Sequence, residues 1–235
     1  TGLDQVPALN PMLYPHQRDM VRWALRRGRA ALFADCGIGK GPMQMEWADK
    51  QPHECIISAP LAVAHQFVRE GQKFGIDLAY AKDQAGVTKR ITVTNYERLE
   101  NFNLEQFGAV ALDESSILKN SSGAYSTWMV EAFKNTPFRL CSSATPAPND
   151  VMELGTQAEF LGVMTRGEML AMYFTHDGGD TSKWRVKGHA QAAFWEWMAS
   201  WSVMIRKPSD LGYSDEGFVL PPLSMHEHCV SVSQP

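Results

Sequence analysis

The chain has 235 residues, which is enough for one sizeable α/β domain with a core of its own. Its formal net charge is −4 and 44% of its residues are hydrophobic, so the composition predicts a packed core and argues against a uniformly basic coat for nucleic acid. The four cysteines form no CxxC pair, which argues against a zinc ribbon and fits a reducing cytoplasm. The apolar runs are too short to span a membrane, so we expect no membrane partner.

The first 150 residues alternate amphipathic segments with short apolar runs. Helical periodicity predicts helices over residues 16–28, 42–50, 62–74 and 124–135. Apolar runs of strand length occupy residues 30–35, 54–59, 90–97, 107–115 and the start of 138–150. Strands that alternate with helices in this way indicate βαβ units, so we predict an α/β fold with a mostly parallel sheet. Functional loops then belong at the carboxyl ends of the strands.

The character of the sequence changes after residue 150. Residues 151–164, 166–174 and 192–207 predict helices that pack against the sheet core, whereas residues 175–191 are typical of a polar loop. The last segment has repeated Pro and Gly residues and predicts a connector. We therefore divide the chain into a core (1–150), a helical extension (151–207) and a connector (208–235).

The segment LFADCGIGKG, residues 32–41, is typical of a loop that holds the phosphates of a nucleotide. Gly37 and Gly39 let the backbone turn closely around a ligand and direct amide groups toward it. Ile38 lies between them, Lys40 supplies a positive charge for the β- and γ-phosphates, and the helix that follows presents its positive end. A bare GxGK sequence also fits an ordinary glycine-rich turn, but here it follows a strand and opens a helix, as a phosphate loop does.

Gly41 stands where such loops carry Ser or Thr. A hydroxyl at this position ordinarily ligands Mg²⁺, so glycine leaves that coordination position to water. Glycine also weakens the start of the helix, by roughly 1 kcal/mol relative to alanine. We expect nucleotide to bind through the backbone amides and Lys40, with hydrolysis that is slower and more demanding of metal.

Two carboxylates, Asp113 and Glu114, come directly after a buried strand. Asp113 suits a ligand of Mg²⁺, and Glu114 suits a base that polarises the water attacking the γ-phosphate. Two solvated carboxylates at the start of a loop are the alternative. The phosphate loop upstream favours a shared catalytic site.

Together these segments resemble the motifs of superfamily 2 helicases and translocases. The phosphate loop is similar to motif I, and DESS (113–116) is similar to motif II, a variant of the DEAD/DEAH box. SSATPAPND (142–150) is similar to motif III, and YPHQ (14–17) is similar to the Q motif. SAPLAVAHQF (58–67) is similar to motif Ia, and TNYERL (94–99) is similar to motif Ib. The stretch from SATPAPND to LPPL most resembles the Swi/Snf-like branch, especially its compact phage and prophage members. The resemblance covers nearly the whole chain.

The resemblance implies a RecA-like P-loop NTPase lobe that couples ATP hydrolysis to movement on DNA. Residues 37–41 would bind ATP, with Gln17 contacting the adenine and Asp113 holding Mg²⁺. Ser143 and Thr145 would couple the nucleotide site to the nucleic acid. The catalytic residues that the resemblance implies are Lys40, Asp113 and Glu114.

DNA is the partner that the resemblance implies, double-stranded and bound without regard to sequence. Motifs Ia and Ib contact the phosphate backbone in this family, and polar or backbone groups suit that task because they position without reading bases. The corresponding residues are Pro60, Leu61, Gln66, Thr94, Asn95 and Tyr96. Capping of ordinary loops is the alternative for Thr94 and Asn95. A basic stretch, Lys183 to His189, fits either a further phosphate contact or a solvated loop.

The resemblance also implies a second RecA-like lobe after the connector, because the chain has no counterpart of motifs V and VI or their arginine finger. Such a finger accelerates related phosphate chemistry by about 10³–10⁵-fold, so we expect the lobe alone to bind ATP weakly and turn it over slowly. An alternative is a nucleotide- or DNA-binding module without catalysis, since Gly41 replaces the motif I threonine. A small P-loop kinase is disfavoured, because the motif III segment has no place in one.

Overall fold

The structure is a computed structural model that describes residues 2–119, 123–177, 180–219 and 224–228. The side chains of residues 177 and 180–183 lie outside the description, as does most of the predicted connector beyond residue 219. In the part of the chain that is described, no helix is both long and apolar enough to cross a membrane.

Within the described residues, nine strands form one large sheet and one two-stranded antiparallel pair. They are β1 (Arg29–Ala34), β2 (Cys55–Ala59), β3 (Leu78–Tyr80), β4 (Ile91–Asn95), β5 (Ala109–Asp113), β6 (Phe138–Ser143), β7 (Phe174–Asp177), β8 (Asp180–Val186) and β9 (Ser202–Ile205). The large sheet has the order β3-β4-β2-β5-β6-β1-β9, and all of its neighbours are parallel. The predicted α/β fold with a parallel sheet is therefore confirmed.

Helices cover both faces of the sheet. They are α1 (Pro15–Arg27), α2 (Lys40–Asp49), α3 (Leu61–Phe74), α4 (Ala124–Ala132), α5 (Leu154–Leu161), α6 (Arg166–Tyr173) and α7 (Gln191–Trp201). Alternate residues of a strand point to opposite faces, so Leu32 packs with α1, α2 and α3, whereas Phe33 packs with the face that α4 to α7 cover. Both faces are buried, which explains why the strands read as continuous apolar runs.

Three elements differ from the sequence-based expectation. Residues 202–205, predicted as the end of a helix, form β9, because Ile205 pairs beside Ala34 at the sheet edge and is buried there. Residues 174–177 and 180–186, predicted mostly as a loop, form the antiparallel pair of strands β7 and β8. Strand β3 was not predicted, since three residues are too short to carry a periodic signal. The division of the chain at residue 150 stays a prediction.

The sheet order brings the ends of β5, β6 and β1 to one edge. In a parallel sheet, the loops that follow these strands meet at their carboxyl ends. The loop after β1 leads into α2 through Gly39, whose φ of 91° is left-handed, a conformation that glycine adopts without strain. Asp113 closes β5 opposite Ser142 of β6. The predicted phosphate loop, carboxylate pair and motif III segment therefore share one end of the sheet.

Candidate functional site

The phosphate loop is formed by two left-handed glycines and the first turn of α2. Gly37 and Gly39 have φ values of 85° and 91°, and α2 begins at Lys40. The Lys40 ammonium donates a hydrogen bond to the Ala34 carbonyl at 3.1 Å. The loop thus has a lysine held at its base and the amino end of a helix directed toward the cavity, an arrangement that favours an anion.

Gln17 lies behind this loop. Its Nε2 donates to the Ile38 carbonyl at 2.7 Å, and its Oε1 accepts from the Tyr14 backbone amide at 3.0 Å. A β-carbon on Gly39 would lie only 2.3 Å from Gln17 Nε2, so this contact requires glycine. The buried Gln17 therefore fixes the loop from behind, and its predicted contact with adenine stays a prediction.

Asp113 is buried at the end of β5, where its Oδ1 accepts a hydrogen bond from Gln44 Nε2 at 2.6 Å. Burial raises the pKa of Asp113 to about 6, and the neighbouring charge of Glu114 adds to the rise. The hydrogen bond from Gln44 and the charge of Lys40 oppose it. Desolvation disfavours the charged carboxylate here, so a cation placed beside it would be strongly favoured.

Glu114 has a φ of 53°, the only positive value for a non-glycine residue among those described. This conformation is uncommon for a residue with a side chain and is often associated with functional sites. Ser143 Oγ donates to Glu114 Oε2 at 3.1 Å and accepts from the Thr145 backbone amide at 3.0 Å. The motif III segment therefore contacts the motif II carboxylate, while Thr145 takes part through its backbone.

One cavity brings these groups together. It has a volume of about 320 Å³ and opens at the carboxyl end of the sheet. Its lining residues are Gly37, Gly39, Lys40, Gly41, Pro42, Val63, Gln66, Phe67, Glu70, Asp113 and Glu114. A lysine, backbone amides and carboxylates in one cavity suit a polyphosphate that carries a hard cation.

The residues predicted to face nucleic acid differ in their placement. Leu61 is exposed and Pro60 is partly exposed, whereas Gln66 lies at the cavity. Three of the predicted side chains, those of Thr94, Asn95 and Tyr96, are buried.

Those three buried side chains bond within the protein. Thr94 Oγ1 donates to the Ala81 carbonyl at 2.9 Å, and Asn95 Oδ1 accepts from the Tyr80 hydroxyl at 2.9 Å. The Tyr96 hydroxyl donates to the Asp113 carbonyl at 2.6 Å, which ties motif Ib to motif II. A contact between this segment and nucleic acid stays a prediction, and in the observed conformation the backbone would have to make it.

The basic stretch lies on β8 and the turn after it. Lys187 Nζ donates to the Ala171 and Met172 carbonyls at 2.7 and 3.1 Å, at the carboxyl end of α6. Lys187 therefore caps a helix, a stabilising position for a cation. The side chain of Lys183 lies outside the description.

Sequence reasoning missed three polar residues that support the site. Gln44 holds Asp113, and Glu70 reaches the cavity from α3. Gln157 accepts from Ser115 Oγ at 2.8 Å and donates to the Pro146 carbonyl at 2.6 Å, which joins the loops after β5 and β6. The sequence shows only that Gln44 and Glu70 are polar residues on helices near the phosphate loop. Other polar residues on these helices share that property, so it does not identify these two.

Known proteins resemble this chain in sequence and in fold. No family model matches the chain. The curated "DNA annealing helicase and endonuclease ZRANB3" of mouse and of cattle are each 26% identical, over 182 and 180 residues, or 68% of this chain. The chain spans 17% of the length of these relatives.

Solved structures of helicases and SWI2/SNF2 ATPases share the fold. The Sulfolobus solfataricus SWI2/SNF2 ATPase core in complex with dsDNA has a TM-score of 0.71 at 17% identity, over 92% of this chain and 49% of that one. The UvsW helicase from bacteriophage T4 has a TM-score of 0.54 at 15% identity, over 67% and 61%. The Pyrococcus furiosus Hef helicase domain has a TM-score of 0.52 at 14% identity, over 67% and 38%. The chain therefore has the RecA-like α/β fold of SWI2/SNF2 ATPase cores and helicases, and the predicted resemblance to such proteins is confirmed at the level of the fold.

Proposed function

We propose that the chain is the first RecA-like lobe of an ATP-dependent DNA helicase or translocase. The observation that carries the proposal is the shared cavity, because Lys40, Asp113 and Glu114 line it together beside the phosphate loop. These are the groups that bind the phosphates, hold the metal and polarise water in phosphoryl transfer. Lys40 lies far from Asp113 and Glu114 in the sequence. Chance is therefore a poor explanation for their meeting at the carboxyl edge of the sheet.

The cavity fits ATP with Mg²⁺. Gly37 and Gly39 adopt left-handed φ values without strain, so the loop backbone can turn closely around the phosphates. In the described residues no three acidic, His or Cys side chains are grouped closely enough to hold a metal ion. Mg²⁺ commonly binds through one or two carboxylates together with phosphate oxygens and water, so it would enter with the nucleotide. When bound, it would neutralise charge on the phosphates.

The roles of the protein groups follow from their positions. Lys40 would contact the β- and γ-phosphates after leaving the Ala34 carbonyl. Glu114 would accept the proton of the water that attacks the γ-phosphorus, as the bond to the β–γ bridging oxygen breaks. Ser143 holds one oxygen of Glu114, so movement of the motif III segment would reorient that carboxylate. ATP turnover and the conformation of that segment would thus be linked.

We propose that the protein moves along DNA. One structure that shares the fold is a SWI2/SNF2 core in complex with dsDNA, and the segments similar to motifs Ia and Ib lie at the ends of β2 and β4 in this chain. We propose double-stranded DNA, bound through its phosphate backbone without regard to sequence. A second RecA-like lobe would complete the ATP site, and the lobe alone would turn ATP over slowly.

The test is to measure binding of a fluorescent ATP analogue and ATP turnover, each with and without double-stranded DNA. We expect binding that requires Mg²⁺, slow turnover, and loss of binding in Lys40→Ala. The matched control is Lys73→Ala, which removes an exposed lysine at the end of α3. The proposal is wrong if wild type fails to bind the analogue, or if Lys40→Ala binds it as wild type does.

A second candidate is a nucleotide-binding module without catalysis. Gly41 favours it, because the residue lies in the first turn of α2 at the cavity and offers no hydroxyl to a metal. Turnover by the wild type decides between the two candidates. Turnover that stays at background in the wild type, while the analogue binds, favours the module.

A further inference from the structure

Gly41 has no side chain, and the carboxylate of Glu70 lies next to the space that a side chain would occupy. A β-carbon built on Gly41 would lie 3.2 Å from Glu70 Oε2, which is tighter than an ordinary contact. Apart from the adjacent residues and the backbone of α2, no other atom of the described residues lies within 4 Å of it. Glu70 belongs to α3, and its other oxygen, Oε1, accepts a hydrogen bond from Gln66 Nε2 at 2.7 Å. The Glu70 side chain is therefore held with Oε2 at the place where a threonine at position 41 would carry its own side chain.

A second observation concerns the residue that holds Asp113. Gln44 lies one turn after Gly41 on α2 and is fully buried. Its Nε2 donates to Asp113, but within the described part of the chain its Oε1 has no hydrogen-bond partner. A buried amide oxygen without a donor is costly, and the hydrogen bond that Gln44 gives to Asp113 holds it in this position.

We propose that Glu70 faces the metal of the bound metal–nucleotide complex and supplies the oxygen ligand that Gly41 omits. The inference rests on the proposed function, since it concerns the same site. Asp113 lies at the end of β5 and Glu70 on α3, and both line the cavity with the phosphate loop. A carboxylate is a stronger ligand for Mg²⁺ than the hydroxyl it replaces, because it carries a full charge. Gly41 thus leaves the space, and Glu70 supplies the metal ligand.

The charges that line the cavity predict that Glu70 has opposite effects on nucleotide binding with and without metal. Three carboxylates (Glu70, Asp113 and Glu114) and one ammonium (Lys40) line it. Without metal, Glu70 repels the triphosphate; with metal, it attracts the cation that the triphosphate carries. A residue with only a structural role would change binding in the same direction in both conditions.

The experiment titrates Mg²⁺ into protein mixed with a fluorescent ATP analogue and repeats the binding in EDTA. In Glu70→Gln we expect the Mg²⁺ concentration at half-maximal binding to rise by about 10- to 100-fold, the range typical of groups that support a metal site. In EDTA the same variant should bind the analogue more tightly than wild type. Glu105→Gln is the matched control, because it removes an exposed carboxylate from the turn before β5 and should change neither value.

A compensating variant keeps the test decisive. Gly41→Thr combined with Glu70→Gln restores an oxygen ligand from the other side, so its Mg²⁺ midpoint should return toward that of wild type. The inference is overturned if Glu70→Gln keeps the wild-type midpoint, or if it weakens binding equally with Mg²⁺ and in EDTA. Failure of wild type to bind the analogue would instead overturn the proposed function. Circular dichroism of each variant checks that it is folded.

Discussion

Gln44 Nε2 lies 2.6 Å from Asp113 Oδ1 and joins the first helix after the phosphate loop to the end of β5. Both side chains are buried. The hydrogen bond supports the charged form of Asp113 against the cost of its burial. It therefore sets the position of the carboxylate to which we assign the metal.

Gln44→Leu should destabilise the protein in the absence of nucleotide. The substitution leaves a buried carboxylate without its donor, which costs about 1–3 kcal/mol. Urea denaturation at neutral pH measures the change, and Gln72→Leu, at an exposed position on α3, is the control. Equal stability of Gln44→Leu and wild type would show that the bond does not hold Asp113.

Glu114→Gln should lower ATP turnover by about 10²–10⁴-fold, the usual contribution of a general base. Affinity for the ATP analogue should remain close to that of wild type, since Gln keeps the size of the side chain. Ser143→Ala should lower turnover less, because it removes only the hydrogen bond that holds Glu114. The measurement is a double-mutant cycle of turnover rates.

In that cycle, Ser143→Ala should have no further effect once Glu114 is Gln, because the two residues act as one unit. Ser200→Ala is the control, since its hydroxyl bonds only to the Trp197 carbonyl on the surface of α7. Independent, additive effects of the two substitutions would contradict the coupling.

Gly39→Ala should destabilise the protein by about 1–3 kcal/mol, the usual cost of forcing a side chain into a strained backbone conformation. Its φ is 91°, and the new β-carbon would press on Gln17 Nε2. Thermal denaturation measures the change. Gly167→Ala is the matched control, because that glycine lies in α6 with nothing near its β-carbon position and should gain a few tenths of a kcal/mol or more. Unchanged stability of Gly39→Ala would contradict the described loop.

His16 should lower the stability of the protein as the pH falls below about 6.5, whereas Asp113, whose pKa is raised to about 6 in the folded protein, should raise it in the same window. Burial lowers the pKa of His16, although a hydrogen bond with the Ile38 backbone partly opposes it. The ring packs 4.9 Å from that of Phe218. Because His16 takes up a proton near pH 6.5 in the unfolded chain and only at lower pH in the folded protein, its protonation favours unfolding in this window.

Urea denaturation at a series of pH values measures this effect. On going from pH 7.5 to pH 5.5, the free energy of unfolding should fall less in His16→Gln than in wild type, or should rise. His189→Gln, which removes an exposed imidazole, should keep the dependence of wild type. An identical pH dependence in His16→Gln and wild type would refute the assignment.

Where the signal is local, the sequence predicted the parallel sheet and the residues that gather at its carboxyl edge. A Gly-rich turn between a strand and a helix carries its own signature, and so do two carboxylates at a strand end. Strand β9 was missed because Phe194 to Ile205 has helical spacing, and only pairing with β1 reveals its second half as a strand. That pairing joins residues far apart in the chain and leaves no local trace.

The supporting residues were missed for a related reason. Gln44 and Glu70 lie on α2 and α3, and their roles depend on how those helices pack beside β5 and the phosphate loop. Tyr96 shows the reverse case, since its motif predicted an exposed contact whereas tertiary packing buries its hydroxyl against the Asp113 carbonyl. Periodicity indicates which face of an element is apolar, but it does not identify the partner of a polar group.

The most direct test of the central claim is a crystal structure with Mg²⁺ and a non-hydrolysable ATP analogue. The account predicts that the triphosphate lies against residues 37–41, with Lys40 on the β- and γ-phosphates and the metal between the γ-phosphate and Asp113. An analogue bound elsewhere, or a metal out of reach of Asp113 with the cavity open to solvent, would contradict it.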